Sequence, residues 1–460
     1  MGGRDRSQHA CEVPLSDTAA PTANEAAASA RGDKGWGVAV VCLLPDPGHL
    51  VPLLKIAAHV PAPGQVRVFV PDELVGFAAA NGFRATGLGP IRPARGQDEM
   101  QAYIAASELR RVTGAFQAYR ETYFQPLMAA IDGVSAPLQA HLRDFQPIVV
   151  LIDEHGLPAG FRGALRDLKV RWFLHSPAPN YKGHNTWSIK NCWWVNGRTA
   201  ARDAWCKTAN EYRLWKRRRQ RGRSEAPASG RPGDSAIPAG VAAGKSARLS
   251  SGKCVLERTF LADRLLYTSE DRIVLPALPP LEASMDAALA RWLDARQEGS
   301  VAYVSFGTVV RPPVRLLKEI VQAAATEGRH VLLQYDGHFE SHACVRREPW
   351  VAQQRVLAHP AVGIFVSHGG AGSIEEALWA GVPTLSIPRI WDHRFNAWVA
   401  EALGTGVYLR RGWNATPRQL GTALRRALEP ALAEQAQLRA RFMHEDWAAN
   451  ERAVQDLLRP

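Results

Sequence analysis

The chain is most legible at Gly363-Ile364-Phe365-Val366-Ser367-His368-Gly369-Gly370-Ala371-Gly372-Ser373-Ile374-Glu375-Glu376. Gly363–Val366 is a short apolar run, the pattern of a strand buried in a parallel sheet. A glycine-rich turn follows, and a helix is expected to begin near Ser373. Glycines let a backbone come close to a ligand. The unpaired N–H groups and dipole at a helix start make a site for an anion. His368 can add a hydrogen bond to the same anion. The turn is not a dinucleotide fingerprint, because the third glycine of Gly-x-Gly-x-x-Gly is missing. Taken alone, the stretch also fits a plain strand–helix turn with a core histidine.

The same alternation runs outward in both directions. Val301–Phe306 and Val331–Tyr335 are strands before it. Nearer the N-terminus, Val38–Leu44, Val66–Val70, Ile148–Ile152 and Val170–Leu174 read as strands. Helices are expected over Leu53–Val60 and Phe161–Leu168. Alternating strands and helices predict an α/β protein with parallel sheets. Pro276, Pro279 and Pro280 mark a boundary, giving one Rossmann-like domain over 35–275 and a second over 281–430. Thr416-Pro417 is an N-cap and N1 pair that opens a helix. Residues 431–460 form a helical tail that should pack back on the first domain. Residues 1–34 and 216–253 are polar, small and Gly/Pro/Ser-rich, and are expected to be disordered.

Composition sets outer limits. The 460 residues are too many for one ordinary domain, and the 46% hydrophobic content supports globular cores. Lysine and arginine (56) outnumber aspartate and glutamate (44), a net charge of +12 that raises nucleic acid, membrane or an anionic ligand as partners. The basic run from Arg213 to Arg223 lies in a low-complexity segment and reads as a solvated charge run, so no nucleic-acid partner is expected. Gly244-Lys245-Ser246 imitates the end of a phosphate-binding loop but lacks both the preceding glycine and the strand. The six cysteines form no Cys-x-x-Cys pair, so no zinc ribbon is expected. No leader-like apolar region and no membrane-length apolar run is present. A cytoplasmic protein of unknown oligomeric state is expected.

From Trp350 to Asn396 a larger constellation surrounds the opening stretch: Trp350-Val351-Ala352-Gln353, His359-Pro360, His368 to Glu376, Gly381-Val382-Pro383 and Asp392-His393-Arg394-Phe395-Asn396. It resembles the C-terminal signature of the family 1, UDP-sugar-dependent glycosyltransferases of GT-B fold. Gly48-His49-Leu50-Val51-Pro52 resembles that family's Gly-His-x-x-Pro. Ser305-Phe306-Gly307-Thr308 resembles the start of its second domain. The resemblance implies two Rossmann-like domains facing a cleft and a C-terminal helix returning to the first. It implies that Trp350 stacks on uracil and Gln353 sits beside the uridine. His368 and Ser373, with Gly370 and Gly372, would bind the diphosphate, and Glu376 would accept bonds from the ribose hydroxyls. Asp392 and His393 would face the sugar. Val351, Ser305, Gly307 and Thr308 would complete the UDP-sugar site. Ala352, Ala371, Gly372 and His393 depart from the commoner Pro, Trp, Asn and Gln. In the family the last position is linked to sugar preference, so glucose is the expected donor sugar and galactose the alternative.

The resemblance also assigns a general base, His49, oriented by Asp153 at the end of the Ile148–Ile152 strand, for an inverting transfer to an acceptor hydroxyl. An imidazole, with an ordinary pKa of about 6.5, takes a hydroxyl proton near neutral pH. A carboxylate fixes its tautomer. Glu154 and His155 are neighbouring alternatives. No Asp-x-Asp occurs, so no metal and no cofactor beyond the UDP-sugar substrate are expected. Trp172, Phe173, Trp187, Trp193 and Trp194 are either core residues or the wall of an apolar pocket for a small hydroxylated acceptor. Two other readings stay open: a UDP-sugar 2-epimerase-type enzyme, and a nucleotide-sugar-binding subunit without its own activity.

Overall fold

A computed structural model describes residues 37–60, 63–91, 120–153, 156–158, 160–168, 170–175, 253–258, 266–269, 272–275, 277–281, 284–308, 311–389 and 393–459. The expected segments 1–34 and 216–253 therefore lie outside the described residues, except Lys253, which opens a strand.

The first sheet has eight strands: β1 (Val38–Val41), β2 (Val66–Val70), β3 (Ala85–Gly87), β4 (Val149–Asp153), β5 (Arg171–His175), β6 (Lys253–Arg258), β7 (Leu266–Ser269) and β8 (Arg272–Leu275). Their order is β3-β2-β1-β4-β5-β6-β8-β7. Among the described residues, only β7 and β8 pair antiparallel. The second sheet is wholly parallel: β9 (Val301–Ser305), β10 (His330–Gln334), β11 (Val345–Glu348), β12 (Val362–Ser367), β13 (Thr384–Ser386) and β14 (Gly406–Tyr408), ordered β11-β10-β9-β12-β13-β14. The central strands β1, β4 and β9 are buried at every position. Continuous apolar runs produce such strands because helices cover both faces.

In each sheet the order reverses between two central strands, β1 and β4 in the first and β9 and β12 in the second. Ligands of open α/β sheets bind beyond the strand C-termini at this switch point. Helix α1 (Pro47–Ala57) follows β1, and Asp46 caps it by accepting from Gly48 N at 2.9 Å. Between them lie α2 (Asp72–Ala80), α3 (Gln125–Gly133), α4 (Ser135–Phe145) and α5 (Phe161–Asp167) of the first domain. The second holds α6 (Ala287–Asp294), α7 (Val314–Thr326), α8 (Gln353–Leu357), α9 (Ala371–Ala380), α10 (His393–Ala402) and α11 (Pro417–Ala427). Thr416 caps α11 with a reciprocal Gln419 bond, as the Thr-Pro pair predicted. On β12, Gly363 sits where the register with β9 shifts, and a Cβ there would collide with the Gly299 carbonyl.

Helix α12 (Pro430–Leu458) starts against α9, where Gly381 Cα packs beside Gln437, and ends on the first domain. There Trp447 meets His59, just past α1, with ring centroids 4.3 Å apart, and Arg171 Nη2 donates to the Arg459 carbonyl. Burial lowers the His59 pKa to about 4. The unfolded chain binds that proton near the ordinary value of about 6.5, so stability is lost as pH falls from 6.5 toward 4. Urea midpoints measured between pH 7 and pH 5 are expected to fall, and His59→Phe should flatten that slope. A slope equal in the variant would remove His59 as its source.

Candidate active site

At the first switch point, β4 ends on Asp153, which is 1% exposed. Its Oδ2 lies 2.7 Å from His49 Nδ1 on the first turn of α1, and the His49 side chain is 24% exposed. The buried carboxylate thus meets a partly open imidazole at the strand ends. Cys42 lies beneath them. Burial, then the charges of Asp153 and Asp46, push its thiol pKa well up, so it is unsuited to act as a nucleophile.

The second switch point is built around His368. Gly307 has φ +73°, and a Cβ on it would come within 2.8 Å of His368 Cε1. A Cβ on Gly370 would strike His368 Nε2. Both glycines are therefore needed to seat the ring. His393 packs edge-on against it at 4.5 Å between centroids. The turn is held from below: Gly369 N donates to Ser367 Oγ at 3.1 Å, and Asn396 Nδ2 donates to the Gly369 carbonyl at 3.1 Å. Gly370 takes the N-cap position of α9 with no side-chain cap, so the first-turn N–H groups remain directed at this turn. A Cβ on Gly372 would meet open space. These N–H groups and His368 together can bind an anion.

Beside this cradle runs a polar chain. Glu376, 8% exposed, accepts from Gln353 Nε2 at 2.7 Å and from Gln354 Nε2 at 2.8 Å. Gln353 Oε1 lies 3.1 Å from the Tyr303 hydroxyl, which donates at 2.6 Å to Gln334 Oε1, and Ser305 Oγ donates to the same oxygen at 3.3 Å. Burial raises the Tyr303 pKa strongly, so the phenol stays neutral. Trp350, 52% exposed, presents an apolar face at the edge of this chain's helix α8.

Residues 281–452 match the UDP-glucoronosyl and UDP-glucosyl transferase family. An anthocyanidin 3-O-galactosyltransferase of Rhododendron delavayi is 36% identical over 136 residues, which is 27% of this chain and 29% of that protein. An anthocyanidin 3-O-glucoside 5-O-glucosyltransferase of Perilla frutescens is 37% identical over 145 residues, 28% of this chain and 32% of that protein. The chain thus spans less than a third of the length of either relative. The solved structure of a spinosyn forosaminyltransferase superposes with TM-score 0.57 at 18% identity, covering 92% of this chain and 100% of that one. The glycosyltransferase VinC in complex with DTDP gives 0.55 at 17% identity, covering 91% and 98%. These two share the fold, the GT-B pair of Rossmann-like domains. Over residues 281–452 the chain is thus similar to the UDP-glucoronosyl and UDP-glucosyl transferases.

Against that family pattern, the fold brings together most of the residues picked from sequence. His49 meets Asp153, and Gly307, His368, Gly370 and His393 form one cluster. Gln353 and Glu376 bond each other. One expectation, the start of the helix after the glycine turn, is corrected. Helix α9 begins at Ala371, two residues before Ser373, because Gly370 already has extended cap geometry. Val351 is 4% exposed and belongs to the core between α6 and β9, so its side chain does not line the site. Ser305 is 2% exposed and its hydroxyl bonds Gln334 beneath the cleft. Thr308 donates across the cleft to Asp46 Oδ1 at 2.9 Å. His393 is 6% exposed, and burial lowers its pKa to about 3, which keeps it neutral. Trp172 and Phe173 are 3% and 2% exposed and are core residues, not pocket walls. Asp392, Glu154, His155, Trp187, Trp193 and Trp194 lie outside the described residues. Among the described residues, no group of three or more potential ligands is placed to hold a metal ion, and no helix is long and apolar enough to cross a membrane.

Proposed function

We propose that this protein moves a hexose, glucose or galactose, from a UDP-sugar to a hydroxyl of a small aromatic or lipophilic acceptor, with inversion at the anomeric carbon. The observation that carries this reading is the 2.7 Å contact between His49 Nδ1 and Asp153, set at one switch point and tied through Thr308 to the anion cradle at the other. Asp153 holds the Nδ1 side of the ring, which gives the base function to Nε2. In the reaction, the acceptor O–H proton passes to Nε2 as its oxygen bonds the anomeric carbon. The bond from that carbon to the diphosphate oxygen breaks on the opposite face. The negative charge gathering on UDP is met by His368 and the N–H groups of the first turn of α9. Trp350 offers its face to the uracil, Gln353 its amide to the base, and Glu376 its carboxylate to the ribose. His393 and Asp392 are assigned to the sugar, and no metal or further cofactor takes part in the scheme. Such relatives as the anthocyanidin galactosyl- and glucosyltransferases support a phenolic acceptor.

The test is a mass-spectrometric screen of UDP-glucose, UDP-galactose and UDP-N-acetylglucosamine against mixed phenols and alcohols. A glycoside with at least one donor is expected. UDP binding without any glycoside would favour a subunit that only binds nucleotide sugar. A changed sugar nucleotide in the absence of acceptor would favour an epimerase.

A further inference from the structure

Helix α1, which carries His49, is held near both ends by the second domain. At its N-cap Asp46 takes the Thr308 bond. Near its other end, within the apolar turn Leu53-Leu54-Lys55-Ile56-Ala57, Lys55 Nζ lies 3.3 Å from Glu375 Oε1 and 4.0 Å from Glu376 Oε1. All three are buried, at 2%, 4% and 8% exposure. A buried ion pair is a poor source of stability, since apolar side chains of similar size pack in its place at no greater cost. What it supplies is direction. Leucine against leucine tolerates sliding, whereas a cation facing two carboxylates fixes one register between two elements. The elements here are the helix of the base and the helix of the ribose carboxylate.

We propose that Lys55 is a positioning residue that couples the donor site to the base, so that ordering α9 around a bound nucleotide also orders α1 and His49. The proposal rests on the function given above. UDP is the probe, and hydrogen exchange read by mass spectrometry is the measurement. In the wild-type chain UDP is expected to slow exchange over both 371–380 and 47–57. Lys55→Met/Glu375→Leu removes both partners of the 3.3 Å pair, and Glu376 keeps the amides of Gln353 and Gln354, so folding should survive. There UDP should still bind within about threefold and protect 371–380 but no longer 47–57, and turnover should fall about tenfold with donor KM nearly unchanged. Lys55→Arg should restore the coupling. Glu375→Gln, which keeps the shape and removes one charge, gives the same split should the double variant not fold. A double variant whose 47–57 segment still responds to UDP, with wild-type turnover, overturns the role of Lys55. A wild-type chain that binds no UDP overturns the functional reading instead.

Discussion

Replacing His49 by alanine is expected to lower turnover by about 100- to 10,000-fold, the usual contribution of a positioned general base. UDP affinity should stay near wild type, because His49 lies at the first switch point and the anion cradle at the second. The same reasoning makes Asp153→Asn a severe change with little effect on shape. The native carboxylate accepts from Nδ1 at 2.7 Å and is 1% exposed. An asparagine amide turned to donate to Nδ1 would place the ring proton on Nε2 and remove the base. Initial rates with a fixed acceptor, beside calorimetric titration of UDP, separate the two effects. Turnover near wild type in His49→Ala would discard the base assignment.

The second large effect is expected at Glu376. Its two oxygens take the amides of Gln353 and Gln354, and Lys55 stands 4.0 Å away. Glu376→Ala should raise the Kd for UDP about 10- to 100-fold, roughly 1.4–2.8 kcal/mol, because charged hydrogen bonds to the ribose and the support of two buried amides go together. Glu376→Gln should not rescue it, since its own amide N–H groups would face one of the donating glutamines. Calorimetry with UDP reads the result directly. Affinity unchanged in both variants would remove Glu376 from the ribose site.

Both predictions use residues whose roles the family resemblance implied, and the strands and turns that carry them were legible because their signals are local. Strand β2 occupies Val66–Val70, the span its apolar run predicted, and β4 ends on the aspartate proposed as orienter. Parallel strands buried on both faces leave continuous apolar runs, and chemistry sits where those runs stop. Strands β6, β7 and β8 were not read, since Lys253–Arg258 and Arg272–Leu275 mix charged and apolar residues at the far end of the sheet. Lys55 was missed for another reason. One lysine in an apolar turn reads as a snorkelling side chain with its charge in water, and its partner Glu375 is 320 residues away. Tyr303 and Gln334 looked like ordinary strand residues, and only the pairing of β9 with β10 brings them to Gln353.

The sequence by itself determined the fold class and the glycine turn at His368, because each depends on residues close together in the chain, while the family resemblance supplied the candidate base. Tertiary structure decided which of the chosen residues face the cleft. It placed Val351 in the core, decided for Trp172 and Phe173 between core and pocket wall in favour of core, and put the Ser305 hydroxyl beneath the site. It also set Lys55 against Glu375, since burial and long-range charge pairing exist only once two distant helices have been packed together.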